Sequence, residues 1–332
     1  MTHTRIDTSL VRCLAVLLIT NSHFDDLYPD ARLGTGGALG NTLFFLLSGY
    51  GLAISLRSGS ASGEKFGDYW LRRLGKIFPV LWLVTLVAIL FNDEWSAMSV
   101  SDWFFKMVWP LQYWFICAIV VCYALFYWLG KRSGKALWLS IMLLGIPYFF
   151  CYFLFLDLSQ FSIENSYFKW IVYFQIMLFG AWLSKQPFHA NPAKDASMLM
   201  VCVLMFFGIK LSLAFLHLWW LQFLLHLILF PFALFAFRFL SAPVVVEFIR
   251  SVGLYPTAVF LAGLTLEIYL VQVPLIPVIA RQHWGFPIGW FVAIATIPVL
   301  AFIANKTTNR MLPVSGSLTN AFRRKIYKKF PE

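Results

Sequence analysis

The sequence predicts an all-α fold: a polytopic membrane helix bundle of about ten transmembrane helices, with the N- and C-termini in the cytoplasm. Of its 332 residues, 60% are hydrophobic and 12% are charged, whereas about a quarter of the residues in a soluble domain are charged. The apolar residues form continuous runs of about 17–25 residues, the length that crosses a bilayer as a helix. Membrane β-strands alternate between polar and apolar residues, so these runs favour helices.

Each predicted span is an apolar run bounded by polar or charged residues. In the first span, Arg12 interrupts the apolar core that a cleavable signal peptide would have, so we expect a retained helix. The second span follows the glycine-rich loop 34–37, and only the weakly polar stretch 215–220 separates the seventh from the eighth. The ninth contains Pro274 and Pro277, which should bend it near its outer end. The spans are expected at about residues 6–24, 38–56, 77–92, 113–130, 136–156, 167–184, 197–216, 219–239, 253–280 and 286–304.

The charges of the loops predict the orientation of the bundle. Cytoplasmic loops of membrane proteins are rich in Lys and Arg, and most of the 26 Lys and Arg residues fall in loops on the same side as the N-terminus. Topology therefore explains the net charge of +11, and no nucleic-acid partner is expected. The cations on the outer side are Arg32, Lys106, Lys169, Lys210 and Arg281.

We expect two parts of the chain: a membrane-embedded domain over residues 1–312 and a C-terminal tail over residues 313–332. No loop is long enough for a separate soluble domain. The tail carries apolar residues every four positions among basic residues, which is typical of an amphipathic helix lying on the anionic cytoplasmic leaflet. These apolar residues are Leu318, Phe322, Ile326 and Phe330.

Arg12 and His23 are the most informative pair of residues in the sequence. They are eleven residues apart, which on a continuous helix is about 16 Å of rise and places both on nearly the same face. Ionisable side chains inside a membrane are costly and usually functional. His23 is a candidate general base because imidazole titrates near neutral pH, or else an interfacial residue without a role. Arg12 is a candidate phosphate ligand, or else a snorkelling anchor.

A second basic group precedes the third span. Arg72, Arg73 and Lys76 lie at its predicted cytoplasmic boundary, and the last two share a helix face. They could bind an anionic substrate or only set the orientation of the helix.

Two spans contain polar residues of their own. Ser48-Gly49 in the second span allows either close helix packing or a polar lining for a substrate path. Glu267, near the middle of the ninth span, should face the bundle interior, where it is either protonated or paired with a cation.

No metal centre is expected. The five Cys residues form no CxxC pattern and have no His partner at metal-binding spacing. His217, Gln222 and His226 cluster in the outer half of the eighth span, but no third ligand accompanies them. Hydrogen bonding between helices is the better prediction for this cluster.

These motifs, in this order, resemble the acyltransferase-3 family of integral membrane acyltransferases over most of the chain. Arg12-x10-His23 matches the Arg-x10-His motif of the family, and Phe44-Phe-Leu-Leu-Ser48-Gly49-Tyr50 matches its Phe-Phe-x-x-Ser-Gly-Tyr motif. The weaker matches are Arg73-x-x-Lys76-Ile-Phe-Pro79, Trp114-Phe115-Ile116 followed by Tyr123, and Glu267-Ile-Tyr269-Leu-Val-Gln272.

Two positions depart from the pattern of the family. Lys76 stands where the family has Arg and cannot form a bidentate fork onto phosphate. Gln272 stands where many members have His, and it cannot transfer protons, so it is given no catalytic role.

The resemblance implies ten helices, acyl-CoA (by default acetyl-CoA) as the cytoplasmic donor, and a glycan or lipid-linked saccharide as the outer acceptor. It also implies a stand-alone enzyme of the bacterial inner membrane, without a fused extracytoplasmic domain. The catalytic residues would be His23 and Arg12. The residues expected to hold the donor are Arg12, Arg72, Arg73 and Lys76. Those expected along the substrate path, or as structural polar residues, are Ser48, Tyr50, Trp114, Glu267 and Tyr269.

In the implied mechanism, His23 deprotonates the acceptor hydroxyl for direct attack on the thioester, with Asp25 or Asp26 as the residue that orients the imidazole. An acyl-His23 or acyl-Ser48 intermediate is the alternative. A continuous tunnel should then join Arg12 and His23. A transporter or flippase for a small solute or lipid-linked sugar is the alternative function, and a structural membrane subunit is a third. The sequence leaves the acyl group, the acceptor hydroxyl and the oligomeric state open.

Overall fold

The structure, a computed structural model, describes residues 6–57, 63–92, 98–157 and 166–327, with side chains in the last range as far as residue 310. Within these residues it is all-helical. The helices are α1 (Ser9–Asn21), α2 (Gly37–Arg57), α3 (Phe66–Phe91), α4 (Val100–Met107), α5 (Trp114–Leu129), α6 (Gly134–Phe155), α7 (Phe168–Leu183), α8 (Pro192–Leu216), α9 (Gln222–Leu240), α10 (Pro243–Ser251), α11 (Tyr255–Gly263), α12 (Thr265–Ala280) and α13 (Ile288–Tyr327).

The helices form the predicted polytopic bundle. Seven helical segments of the described chain are long and apolar enough to cross a membrane, or eight if the bent pair α10 and α11 counts as one span. Helices α1, α7 and α12 are apolar but shorter. The fold class is therefore confirmed, whereas the count of ten spans and the orientation of the bundle stay predictions.

The predicted ninth span is wrong as a single helix. Residues 253–280 form α11 and α12, which Leu264 interrupts, and α11 is bent by 111° from α10 before it. Pro243 and Pro256 lie in the first turns of α10 and α11, where proline is favoured because its missing N–H needs no partner. Pro243 and Pro256 thus begin α10 and α11, whereas the break at Leu264 separates α11 from α12, whose first turn contains the buried residues Thr265 and Glu267.

The first helix is also shorter than predicted. Residues 6–24 were expected to be helical, but α1 ends at Asn21 and Ser22 caps it. His23 therefore lies in the loop beyond the helix, and its backbone N–H donates to the carbonyl of Thr20 at 3.1 Å. Arg12 lies in the first turn of α1 and His23 lies two residues beyond its last residue, so the two do not share a helix face.

Helix α2 lies at the centre of the bundle and packs against α1, α7 and α9. Its closest contact is with α7, where Gly49 and Gly180 face the partner backbone. A Cβ on Gly49 would lie 1.8 Å from the carbonyl oxygen of Met177, and one on Gly180 would lie 2.0 Å from that of Leu46. Only glycine fits at both positions, so Gly49 has the helix-packing role that small residues have in membranes.

The outer surface of the bundle is apolar. Large side chains on peripheral helices are more than half exposed, including Leu90 on α3, Leu143 on α6 and Leu204 on α8. Such a surface suits contact with lipid, because no hydrophobic force drives these side chains inward in a bilayer.

The C-terminal tail lies largely outside this description. The backbone of α13 continues to Tyr327, but side chains beyond residue 310 and all of residues 328–332 are outside the described part of the chain. The predicted amphipathic tail, residues 313–332, therefore stays a prediction.

Candidate active site

A cavity of 420 Å³ lies beside His23, and we call it the His23 cavity. The end of α1 and the beginnings of α2 and α7 line this cavity. Residues of α8, α9 and α12 complete its wall. Its wall combines aromatic rings with many polar side chains. The polar and aromatic residues of this wall are Ser22, His23, Asp25, Thr35, Asn41, Trp114, Lys169, Tyr173, Phe206, Lys210, His226 and Tyr269.

The loop that carries His23 is fixed by Asn21, the last residue of α1. Its side-chain amide donates to the carbonyls of Leu33 at 3.0 Å and Thr35 at 2.9 Å. The Tyr28 hydroxyl donates to the Asn21 carbonyl oxygen at 2.7 Å and accepts a hydrogen bond from the Trp290 indole at 2.9 Å. These bonds join both ends of the loop to α13, so His23 is held against the bundle although it lies outside a helix.

The His23 imidazole is partly buried beside Tyr269, with ring centroids 6.3 Å apart in an edge-on arrangement. Burial lowers the pKa of His23 below its usual value, and the nearby charge of Asp25 acts in the opposite direction. The imidazole is therefore neutral at pH 7, as a general base must be. Asp25 also lines the cavity and Asp26 does not, which favours Asp25 as the residue that orients the ring.

A second cavity, of 300 Å³, lies beside Arg12, and we call it the Arg12 cavity. Ser48 contributes to it from α2 and Glu267 from the first turn of α12. The carboxylate of Glu267 accepts a hydrogen bond from the Asn305 side chain at 2.7 Å. This cavity therefore has a cation and a carboxylate on its wall, and the carboxylate is held by α13.

The basic residues of α3 have different partners. Arg72 forms a two-point ion pair with Glu64, with nitrogen–oxygen distances of 2.9 and 2.5 Å. Arg73 points inward instead: its guanidinium lies 5.6 Å from the Tyr69 ring centroid and donates to the Ser55 hydroxyl at 3.4 Å.

Two features make Arg73 the better anion ligand of the pair. Its Nε is buried and has no hydrogen-bond partner among the described residues. It also interacts electrostatically with Tyr123, which hydrogen-bonds Ser48 on the wall of the Arg12 cavity. Lys76 is exposed on the same helix.

Aromatic rings separate the two cavities. Phe44 lines the Arg12 cavity, Tyr269 lines the His23 cavity, and the two cavities share no lining residue. The Phe115 ring contacts both, with centroids 4.7 Å from Phe44 and 5.1 Å from Tyr269. Phe115 therefore packs edge to face on Phe44 and at a tilt on Tyr269 between the two cavities, where the predicted continuous tunnel would pass.

The structure divides the predicted site residues into three groups. His23, Trp114 and Tyr269 line one cavity, whereas Arg12, Ser48 and Glu267 line the other. The remaining residues line neither cavity: Tyr50, which packs on Phe237, together with Arg72, Arg73 and Lys76.

Sequence reasoning missed several residues that line the two cavities or hold residues beside them. Asn21, Asn41, Lys169, Lys210 and Asn305 carry no motif that would distinguish them from structural polar residues. Only the rarity of polar groups within apolar runs could have indicated them.

His226 behaves as the sequence predicts. Its Nδ1 is hydrogen-bonded to the Tyr148 hydroxyl of α6, which is an interhelical bond. Among the described residues, no group of three or more His, Cys, Asp or Glu could hold a metal ion.

The comparisons with known proteins identify a family. The acyltransferase-3 family model, described as an acyltransferase domain, matches residues 5–305, which is nearly the whole chain. Comparisons with curated proteins and with solved structures gave no match. The matched range includes both cavities, α3 and the loop of His23. The chain therefore belongs to the acyltransferase-3 family and is a membrane acyltransferase.

Proposed function

We propose that this protein transfers an acyl group, by default acetyl, from acyl-CoA at the Arg12 end of the bundle to a hydroxyl at the His23 end. The acceptor is a glycan or lipid-linked saccharide, and the enzyme acts in a bacterial cytoplasmic membrane. One observation carries the proposal: a cavity lined by Arg12 and a cavity lined by the partly buried His23 imidazole lie beside opposite ends of helix α1, with the Phe44, Phe115 and Tyr269 rings between them. This arrangement suits substrates that arrive from opposite sides.

The donor end fits phosphate groups. Arg73 has a buried N–H without a partner among the described residues, and a guanidinium binds phosphate oxygens through parallel hydrogen bonds. Arg12 and Lys76 add positive charge at the same end of the bundle. Arg72 is neutralised by Glu64, so we assign it to positioning α3. The thioester of the donor supplies the activated acyl group.

At the acceptor end, His23 accepts the proton of the attacking hydroxyl. Its neutral state at pH 7 and its place on the wall of a polar cavity support this role. Asp25 favours the imidazolium that forms when the proton is accepted, because its charge acts on the ring. Ser48 lies on the wall of the other cavity, so direct transfer with His23 as base is proposed over an acyl-Ser48 intermediate.

The role of His23 is tested by His23→Ala, with His189→Ala as the control, because His189 is an exposed histidine outside both cavities. Transfer of labelled acetyl to envelope glycans should fall at least 100-fold in His23→Ala, the range typical of loss of a general base. Binding of CoA should stay unchanged in both variants. Full transfer by His23→Ala would refute the proposal.

The donor site is tested by Arg12→Ala and Arg73→Ala. Each should weaken CoA binding by roughly ten-fold or more, as expected for the loss of a charge-assisted hydrogen bond. Arg250→Ala is the matched control, because Arg250 is exposed and paired with Glu247 on α10. Unchanged CoA affinity in both Arg12→Ala and Arg73→Ala would contradict the assignment.

A further inference from the structure

We propose that Asn41 and Thr35 form a hydrogen-bonding subsite beside His23, which binds a second hydroxyl group of the acceptor besides the one that is acylated. This inference rests on the proposed function and adds a requirement for the acceptor, which must be a polyol. It concerns two residues to which the sequence motifs assign no role.

The glycine-rich loop before α2 packs directly on the loop that carries His23. A Cβ on Gly34 would lie 2.8 Å from the backbone nitrogen of Asp25, and one on Gly37 would lie 2.6 Å from the Ser22 hydroxyl oxygen. Ordinary contact begins at 3.4 Å, so only glycine allows this approach. The glycine-rich loop is therefore held against residues on both sides of His23 in the sequence.

This packing places the two proposed ligands. Thr35 belongs to the glycine-rich loop, and its carbonyl accepts a hydrogen bond from the Asn21 side chain at 2.9 Å. Asn41 lies in the second turn of α2, four residues after Gly37, so it shares the helix face that meets Ser22. Both ligands line the same 420 Å³ cavity as the imidazole.

Each of the two residues has a buried oxygen that lacks a partner. Asn41 is only 8% exposed, and its Oδ1 has no hydrogen-bond partner among the described residues. The hydroxyl oxygen of Thr35 is likewise buried and has no partner within the described part of the chain. Buried polar atoms are almost always hydrogen-bonded, because an unmet hydrogen bond costs free energy. A group that binds in the cavity can supply the partner for both oxygens.

The chemistry of these two atoms selects the class of the bound group. A carboxamide oxygen only accepts hydrogen bonds, whereas a hydroxyl both accepts and donates. A sugar hydroxyl matches both, because it can donate to Oδ1 of Asn41 and accept from the Thr35 hydroxyl. The proton of the acylated hydroxyl goes to His23 in the proposed mechanism. The group bound by Asn41 and Thr35 is therefore a second hydroxyl of the same acceptor.

The variant Asn41→Leu separates this role from a structural one. Leucine has nearly the shape of asparagine, and removing a buried polar group whose hydrogen bond is unmet is close to neutral or stabilising for the fold. The midpoint of unfolding by SDS should therefore stay unchanged or rise. A lower midpoint would show that the amide stabilises the fold, and it would overturn the inference.

The effect on the acceptor is measured with the full-length protein in nanodiscs, labelled acetyl-CoA and the envelope glycan fraction of cells that lack the protein. Asn41→Leu and Thr35→Val should each raise the KM for the glycan about five-fold or more, because a hydroxyl of the substrate loses its partner. The KM for acetyl-CoA should stay unchanged. Thr296→Val is the matched control, since its hydroxyl donates to the carbonyl of Val292 at 2.7 Å and it lines neither cavity. An unchanged glycan KM in Asn41→Leu would contradict the subsite.

The requirement for a second hydroxyl is tested with two small competitors, cyclohexane-1,2-diol and cyclohexanol, which differ by one hydroxyl group. Their inhibition constants against transfer to the glycan are measured for the wild-type protein and for Asn41→Leu. The ratio of the two constants should favour the diol about three-fold or more in the wild-type protein relative to the variant. Partition of each alcohol into lipid cancels in this comparison. The same ratio in both proteins would exclude a hydroxyl as the bound group.

Binding of the glycan without a donor keeps this inference apart from the proposed function. Transfer with equal glycan KM in the wild-type protein and Asn41→Leu would remove the subsite and leave acyl transfer intact. If the wild-type protein transfers no label to the glycan, the proposed function fails, and binding then decides the inference. Weaker glycan binding by Asn41→Leu would support the subsite, and equal binding or none at all would overturn it.

Discussion

The contact between α2 and α7 allows a matched pair of substitutions on one helix. A Cβ at Gly49 would lie 1.8 Å from the backbone oxygen of Met177, whereas one at Gly51 would meet nothing within 4 Å. Ordinary contact begins at 3.4 Å, so Gly49→Ala must move the two helices apart by roughly 1.5 Å in an interior that is close-packed. Gly51→Ala requires no such movement.

The expected magnitudes follow from this difference. Overpacking a well-packed interior costs about 1–3 kcal/mol, and the upper value applies at Gly49 because the atom it meets is backbone. Alanine also gains about 1 kcal/mol of helix propensity over glycine. Gly49→Ala should therefore lower the free energy of unfolding by roughly 2 kcal/mol, and Gly51→Ala should raise it by up to about 1 kcal/mol.

Unfolding of the purified protein by SDS titration, followed by tryptophan fluorescence, measures both variants. Gly180→Ala should behave like Gly49→Ala, because its Cβ would lie 2.0 Å from the carbonyl oxygen of Leu46 in the same contact. The double variant should destabilise by less than the sum of the single variants, since one separation of the helices serves both. Equal stability of Gly49→Ala and Gly51→Ala would refute the close approach of α2 and α7.

Three further predictions concern the two cavities. Because burial lowers the pKa of His23, the decline of kcat/KM with falling pH should be centred below the usual histidine value of about 6.5, where the imidazole becomes protonated. Asp25→Asn should move that decline to lower pH, since the charge of Asp25 raises the pKa of His23; a wild-type decline centred above about pH 6.5 would contradict the effect of burial, and an unshifted decline in Asp25→Asn would contradict the effect of Asp25. Phe115→Ala should join the two cavities and raise the hydrolysis of acetyl-CoA without acceptor by at least several-fold, measured as thiol release; a rate equal to that of wild type would show that Phe115 does not separate them. Asn21→Ala should lower kcat about ten-fold or more while CoA affinity is kept, because the loop of His23 loses two hydrogen bonds; weaker CoA binding with an unchanged kcat would oppose this assignment.

Local patterns in the sequence predicted most of the helices, because long apolar runs are unambiguous signals of membrane helices. The predicted helix boundaries were wrong where local interactions end or interrupt a helix inside a long apolar run. The predicted ninth span is a long and mostly apolar run, but a break at Leu264 divides it into α11 and α12. Likewise His23 follows the end of α1, because the Asn21 side chain binds the loop carbonyls of Leu33 and Thr35.

The candidate site was predicted only in part, because its geometry depends on contacts between distant segments. The sequence motifs indicated Arg12 and His23. No sequence pattern could show that Glu64 forms an ion pair with Arg72, or that the guanidinium of Arg73 faces inward. The position of Phe115 between the cavities depends on the packing of α2, α5 and α12. Lys169 and Lys210 are 41 positions apart in the sequence, and only the fold places both on the wall of the same cavity.

Helix α13 contacts residues beside both cavities, so the length of helix between these contacts matters for the arrangement of the two cavities. Trp290 reaches the loop of His23 through Tyr28, and Asn305 holds Glu267 on the wall of the Arg12 cavity. The two residues are 15 positions apart on one uninterrupted helix, about 22 Å of rise. One residue inserted between them would rotate one contact by about 100° relative to the other. Helix α13 thus fixes the distance and rotation between its contacts beside the two cavities, and insertions or deletions between Trp290 and Asn305 should disturb the position of one cavity relative to the other.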